Sequence, residues 1–146
     1  DATSPAGALV SYTAMAHDWR QGPVPLKTSH NSGSTFAIGT TTVACRAEDH
    51  AGNAAEESFT VRVKGADEQI ADQFALIQLA RPKSAKFKDT LNAAQSHLEA
   101  KDKAGLRKQL NAFRQMVRAE SGKALSLSLT TKLVANTERI AAVIGS

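Results

Sequence analysis

Residues 31–53 read Asn31-Ser-Gly-Ser-Thr-Phe-Ala-Ile-Gly-Thr-Thr-Thr-Val-Ala-Cys-Arg-Ala-Glu-Asp-His-Ala-Gly-Asn53, and a second run follows as Ser58-Phe-Thr-Val-Arg-Val63. In the first, Val43, Cys45 and Ala47 alternate with Thr42, Ala44, Arg46 and Glu48. In the second, Phe59, Val61 and Val63 alternate with Ser58, Thr60, Arg62 and Lys64. Successive side chains of a strand point to opposite faces, so this alternation predicts two strands with one face buried and one wet. Asn31-Ser32-Gly33-Ser34, Ile38-Gly39 and Asp49-His50-Ala51-Gly52-Asn53 supply the turn chemistry around them.

Upstream, Val10, Tyr12, Ala14 and Ala16 alternate with Ser11, Thr13 and Met15, which predicts a third strand. Val24 and Leu26 lie in a short run flanked by prolines, which suits an edge strand. Several short strands separated by such turns predict a β-sandwich.

Downstream, the pattern changes at Lys64-Gly65-Ala66: proline occurs once more, at Pro82, and apolar spacing becomes helical. Ile70, Phe74 and Ile77 mark a first helix, with Asp67 as its expected N-cap and Pro82 as its end. Phe87, Leu91, Ala94 and Leu98 mark a second, and Leu106, Leu110, Phe113 and Val117 a third. Both repeat the spacing four, three, four of an a/d seam. Asp102 is the expected N-cap of the third helix and Gly122 its expected C′ residue. Leu129, Leu133, Ile140 and Ile144 mark a fourth, capped by Ser126 or Ser128, with Asn136 expected on its inner seam. Short connections imply antiparallel packing. The expected fold is therefore all-β plus all-α in two domains: a β-sandwich over 1–65, then a three- or four-helix antiparallel bundle over 66–146.

The quoted stretch resembles the hyalin repeat (HYR) family, whose pattern runs SGS-F-x-x-GTTTV-x-C-x-A-x-D-x-AGN and closes with S-F-T-V-x-V. Ala16-His17-Asp18 fits the A-x-D of the same family. The resemblance covers about residues 1–64 and implies an immunoglobulin-like sandwich from extracellular and adhesive proteins, in bacteria an accessory module of secreted proteins. Where the family often has further cysteines, this chain has Thr28 and Glu57, so Cys45 stands without the family disulfide. Hyalin repeats usually begin with a strand upstream of the position of Asp1, so the expected sandwich lacks its first strand, to be supplied by an upstream segment or a neighbouring chain. Residues 67–146 are similar to small helical modules that follow such repeats in secreted bacterial proteins, through Ser84 to Leu98, Leu110-Asn-Ala-Phe113, Ser121-Gly-Lys123 and Leu133 to Ile144.

Composition narrows the function classes. The chain has 146 residues, 42% hydrophobic and 22% charged, which is globular rather than disordered. Only 5% are aromatic, so each core must be built mostly from aliphatic side chains. No stretch approaches the ~20 apolar residues of a membrane-spanning helix, and the first residues carry no signal-peptide pattern. The single cysteine, Cys45, is expected to be a buried free thiol. Charge is uneven: residues 66–146 hold thirteen basic and eight acidic side chains, whereas residues 1–65 hold five and six.

Two groups of residues are candidates for recognition. In an immunoglobulin-like sandwich the strands ending at Ala16 and Ala47 finish at the same end, which brings His17, Asp18 and Trp19 beside Asp49, His50 and Asn53. These residues could form a recognition surface or a weak metal site with Trp19 as an apolar platform. They could equally be turn-formers, with Asp18, Asp49 and Asn53 bonding their own loops. On the third helix, Arg107, Arg114 and Arg118 are seven and four residues apart, beside the Leu106/Phe113 seam. They read as an anion-binding face, for an acidic polysaccharide, a cell-wall polymer or nucleic acid, or as solvated surface; a protein partner is the other expectation for the chain as a whole. Nucleic acid is not expected, since no aromatic stacking set or binding motif accompanies them. No catalytic motif is present, and two small domains leave little room for a substrate pocket. The sequence therefore predicts a non-enzymatic accessory or adhesion module, secreted or on a cell surface, without cofactor or dedicated metal site. The alternatives are an assembly unit polymerising by strand complementation and a carbohydrate-binding appendage of a secreted hydrolase.

Overall fold

The computed structural model describes residues 1–80 and 85–145, so Pro82 and Ser84 lie outside the described residues. Among the described residues, seven strands precede four helices. The chain divides into two compact units: Ala6–Val63, and Asp1–Pro5 together with the residues from Lys64 onward.

In the first unit, β1 (Ala8–Val10) pairs antiparallel with β5 (Ser34–Phe36). Strand β2 (Ala16–Asp18) pairs with β3 (Gly22–Val24) as a hairpin. A third sheet has the order β4-β6-β7, from β4 (Leu26–Thr28), β6 (Gly39–Glu48) and β7 (Ala54–Val63). Pro25 divides the run read as one edge strand into β3 and β4, and each lies at the edge of its sheet. Thr41, Val43, Cys45 and Ala47 are turned inward along β6, as are Phe59, Val61 and Val63 along β7. That is the face assigned by period two.

The expected strand over 10–16 is interrupted. Residues 11–15 belong to neither β1 nor β2, yet Tyr12 and Ala14 stay half-buried while Ser11, Thr13 and Met15 are exposed. The segment is held by side chains instead. Ser32 Oγ accepts from Tyr12 N–H at 2.9 Å and donates to the Tyr12 carbonyl at 2.7 Å. The Tyr12 hydroxyl donates to the His30 carbonyl. Side-chain bonds here satisfy backbone groups that a ladder would otherwise use. The Tyr12 ring stands edge-on to Phe36 and to Phe59, with centroids 6.5 Å and 4.9 Å away, so one aromatic cluster links β5 to β7. The SGS turn also runs directly into a strand that periodicity alone missed: Ser34 begins β5.

The helices of the second unit are α1 (Ala66–Ala80), α2 (Lys86–Glu99), α3 (Lys103–Ala119) and α4 (Leu127–Ile144). Helix α2 packs on α1 and α3, and α4 packs on α3 and α1. Ile77, Phe87, Leu91, Phe113, Val117, Leu125 and Leu133 form one buried cluster, in which Phe87 and Phe113 meet edge-to-face at 6.0 Å. The Asp102 carboxylate caps α3 by accepting from Gly105 N–H at 2.9 Å, and Ser126 Oγ caps α4 by accepting from Leu129 N–H at 3.2 Å.

Three helix details differ from the sequence reading. Asp67 lies in the first turn of α1 rather than at its cap, where its charge still opposes the positive helix end. Glu120 is the C-cap of α3, so Gly122 falls one residue beyond C′; its φ of 73° lets Gly122 N–H reach the Leu125 carbonyl at 2.8 Å. On α4, Thr137 rather than Asn136 occupies the buried seam. Its hydroxyl accepts from the Gln73 side-chain amide of α1 at 2.9 Å, and that amide also donates to the Leu133 carbonyl at 3.2 Å. Both residues are buried, so this polar contact ties α1 to α4 inside an otherwise apolar seam.

Asp1–Pro5 joins this unit through the residues that follow the strands. Ala2 N–H donates to the Lys64 carbonyl at 2.9 Å, the Gln69 side-chain amide donates to the Ala2 carbonyl at 3.0 Å, and the Asp1 carboxylate meets Arg139 at 2.8 Å. No helix among the described residues is long and apolar enough to cross a membrane.

Candidate recognition sites

The hairpin β2–β3 turns through Trp19, Arg20 and Gln21. Asp18 Oδ1 accepts from the backbone N–H of Arg20 and of Gln21, both at 2.8 Å, which closes the turn locally. The loop between β6 and β7 is built the same way. Asp49 Oδ1 accepts from Ala51 N–H at 2.9 Å and Asn53 N–H at 2.8 Å, and Oδ2 accepts from the Asn53 side-chain amide at 2.8 Å. The Asn53 side chain first, and then the backbone donors, hold the Asp49 carboxyl below its ordinary range, because each bond favours the ionised form.

The two loops meet. Gln21 Oε1 lies 2.8 Å from His50 Nδ1 and accepts from His50 N–H at 3.3 Å. His17, Asp18, Asp49 and Asn53 line one shallow hollow of about 210 Å³ with Glu48. Trp19 stands outside it, 79% exposed, with the Arg20 guanidinium over its ring at 4.5 Å. Such a stack restrains an exposed indole through cation–π attraction. Met15, His17 and Trp19 all fall on the exposed side of the alternating segment. Gln21 is the member of this end that the sequence reading missed; no motif marks it, and only the approach of the two loops reveals its part.

No group of three or more His, Cys, Asp or Glu side chains among the described residues could hold a metal ion. Asp18 and Asp49 spend carboxylate oxygens on their own loops. The chemistry available is hydrogen bonding and ring stacking.

The basic residues of α3 are partly engaged. Arg114 reaches Glu138 of α4 at 3.4 Å and the Asn111 side chain at 3.0 Å, while Arg118 approaches the same Glu138 at 3.9 Å. Arg107 donates to the Gly145 carbonyl. One carboxylate thus serves two guanidinium groups, and the third is used to hold the end of α4. Sequence spacing placed the three arginines together but could not reveal an acceptor on another helix.

Cys45 is a half-buried free thiol in the middle strand of its sheet. Its cross-strand partners are Thr28 on one side and Glu57 on the other. Thr28, Cys45 and Glu57, the three positions that the sequence reading linked to cysteines, thus lie in one row across three strands.

Residues 6–63 match the family model of the HYR domain.

HYR domains are in general extracellular, adhesion-like, non-catalytic modules. The match takes in β1 through β7 and ends where the helical unit begins. No curated protein and no solved structure matches the chain.

Proposed function

We propose that this chain is a non-catalytic extracellular adhesion module whose HYR domain recognises a glycan at the end that carries Trp19. The HYR match over residues 6–63 is the observation that carries the class of function. Within the domain, Trp19 marks the surface: an indole 79% exposed and braced by Arg20 presents a flat apolar face at low entropic cost. The C–H face of a sugar ring would lie against it. His17 and the side chains around the hollow would bond hydroxyl groups, and Arg20 would favour an acidic sugar over a neutral one. In this reading the strands within Ala6–Val63 form an immunoglobulin-like sandwich, narrower than the 1–65 expected from sequence, the helices that follow form an antiparallel bundle, and the whole belongs to a secreted or surface-attached protein. Arg107, Arg114 and Arg118 are a secondary, weaker anion-binding face, because Glu138 and the Gly145 carbonyl already satisfy part of their charge and donors.

The test is binding to acidic and neutral polysaccharides at low and high salt. Trp19→Ala is expected to weaken binding by about thirtyfold, the loss typical of a central aromatic anchor. Arg114→Ala/Arg118→Ala should change it little. Unaltered binding by Trp19→Ala, with loss on the arginine variant, would move the site to the helical unit and overturn this reading.

A further inference from the structure

Two donors converge on one oxygen where the β2–β3 turn meets the β6–β7 loop. Gln21 Oε1 accepts from the His50 backbone N–H at 3.3 Å and lies 2.8 Å from His50 Nδ1. A backbone N–H can only donate, so the Gln21 atom that faces it is the carbonyl oxygen and not the amide nitrogen. That oxygen can only accept, so His50 Nδ1 must carry the proton. A neutral imidazole has one proton for its two nitrogens, and the other nitrogen is then an acceptor. Neutral His50 therefore has its lone pair on Nε2. A free neutral histidine favours the opposite form, with the proton on Nε2, so the bond to Gln21 selects the less common tautomer.

The residue is also held in place. Its neighbours are bonded within the loop: Asp49 N–H donates to the Asn53 carbonyl at 2.9 Å, and Ala51 N–H donates to Asp49 Oδ1 at 2.9 Å. His50 itself is exposed. Gln21 shares its turn with Trp19 and Arg20, so an oriented acceptor stands at the end marked by the indole. The other polar groups of this end differ from it. Arg20 can only donate. Asp18 Oδ1 and both Asp49 oxygens are occupied by N–H groups of their own loops. A neutral acceptor with a fixed lone pair calls for a ligand that donates, and a sugar hydroxyl does so.

We propose that His50 is a specificity residue, whose Nε2 accepts from a sugar hydroxyl, and that Gln21 is the positioning residue that keeps this nitrogen unprotonated. This role rests on glycan recognition at Trp19. It adds a rule of selection: a sugar whose hydroxyls are free binds better than the same sugar with them methylated.

The experiment has one arm without ligand and one with. In the first, long-range proton–nitrogen NMR of the whole, isotope-labelled chain at about pH 8 reads the tautomers of neutral imidazoles. The signal missing from His50→Asn identifies His50. The wild type should show Nδ1–H with an unprotonated Nε2, and Gln21→Leu should move the proton to Nε2. In the second, the probes are polygalacturonate, an acidic chain rich in hydroxyls, and its O-methyl ether, which keeps the carboxylates and loses the hydroxyl donors. His50→Asn retains an N–H toward Gln21 and lacks Nε2, so it should weaken polygalacturonate binding by about fivefold, the worth of one hydrogen bond. The penalty for methylation should shrink by the same factor in His50→Asn and in Gln21→Leu, since both remove the same acceptor. A wild-type His50 with its proton on Nε2 overturns the proposal. Binding that is lost in Trp19→Ala but indifferent to His50→Asn, or a methylation penalty equal in all variants, overturns it and leaves glycan recognition at Trp19 standing. A wild type that does not bind polygalacturonate overturns the hydroxyl contact too, and the Trp19→Ala comparison across polysaccharides then decides the glycan reading separately.

Discussion

The two units bury their apolar residues in different ways. Among the described residues, four hydrophobic side chains are buried in the strand unit, Ala8, Phe36, Val43 and Val63, against fifteen in the unit that holds the helices. The difference follows from geometry. An alternating strand gives every second residue to one face, and in a unit of fewer than sixty residues much of that face stays near the rim. A helix with apolar residues spaced four, three, four sends them into one seam, and facing helices close it from both sides. The strand unit therefore depends more on each single contact: the Tyr12 cluster, the Ser32 bonds and the two aspartate-built loops.

The largest test of this comparison substitutes one phenylalanine in each unit. Phe36 is 1% exposed and Phe113 is fully buried, so either change to alanine should cost about 3–5 kcal/mol. The consequences should differ. With few other buried residues, the strand unit is expected to unfold at physiological temperature in Phe36→Ala, while Phe113→Ala leaves the helical unit folded with a lower melting temperature. Amide hydrogen exchange resolved by segment reads both. Equal loss in the two units would break the comparison.

A smaller effect is expected at Gly7. Its φ is 118°, and a Cβ there would come within 1.9 Å of the Phe36 carbonyl oxygen. Gly7→Ala combines a strained backbone with a collision against β5, at a cost of about 1–3 kcal/mol or more. Exchange should rise across β1 and β5 and stay unchanged in α1–α4. A rise confined to Gly7 itself would mean that the loop absorbs the collision.

The smallest effect is local and appears in acid. Asp49 is held low chiefly by Asn53, and Asp102 chiefly by Gly105 N–H, with His97 Nδ1 2.8 Å away. A carboxyl whose folded pKa is depressed stabilises the fold above its ordinary value of 3.8, and the contribution is lost as pH falls below 3.8 through the folded value. Exchange at Ala51, Asn53 and Gly105 should therefore be level from neutral pH down to about 4, then rise once the intrinsic rate is divided out. Asp49→Asn should abolish the rise at Ala51 and Asn53 and leave that at Gly105. The loops of both units should respond alike, since each rests on one aspartate, whatever the core behind it.

Much of this was legible in the chain. Periods of two and near 3.6 gave a strand-rich part followed by four helices, and the inward residues of β6, β7 and α3, because those periods are set by backbone geometry and not by partners. Asp102 and Ser126 were legible as caps because a cap bonds within its own helix. The motif around residues 31–53 led to the HYR family. What escaped reading was where partners lie far apart in sequence. The interruption at residues 11–15 needs Ser32; the seam at Thr137 needs Gln73, 64 residues earlier. Gln21 matters only because His50 arrives beside it, and Arg114 and Arg118 lose part of their charge to Glu138. The sequence by itself determined which faces must be buried, through local periodicity. Only the tertiary structure decided which charges are already satisfied and which loops meet, because both depend on groups that folding alone brings within a few ångströms.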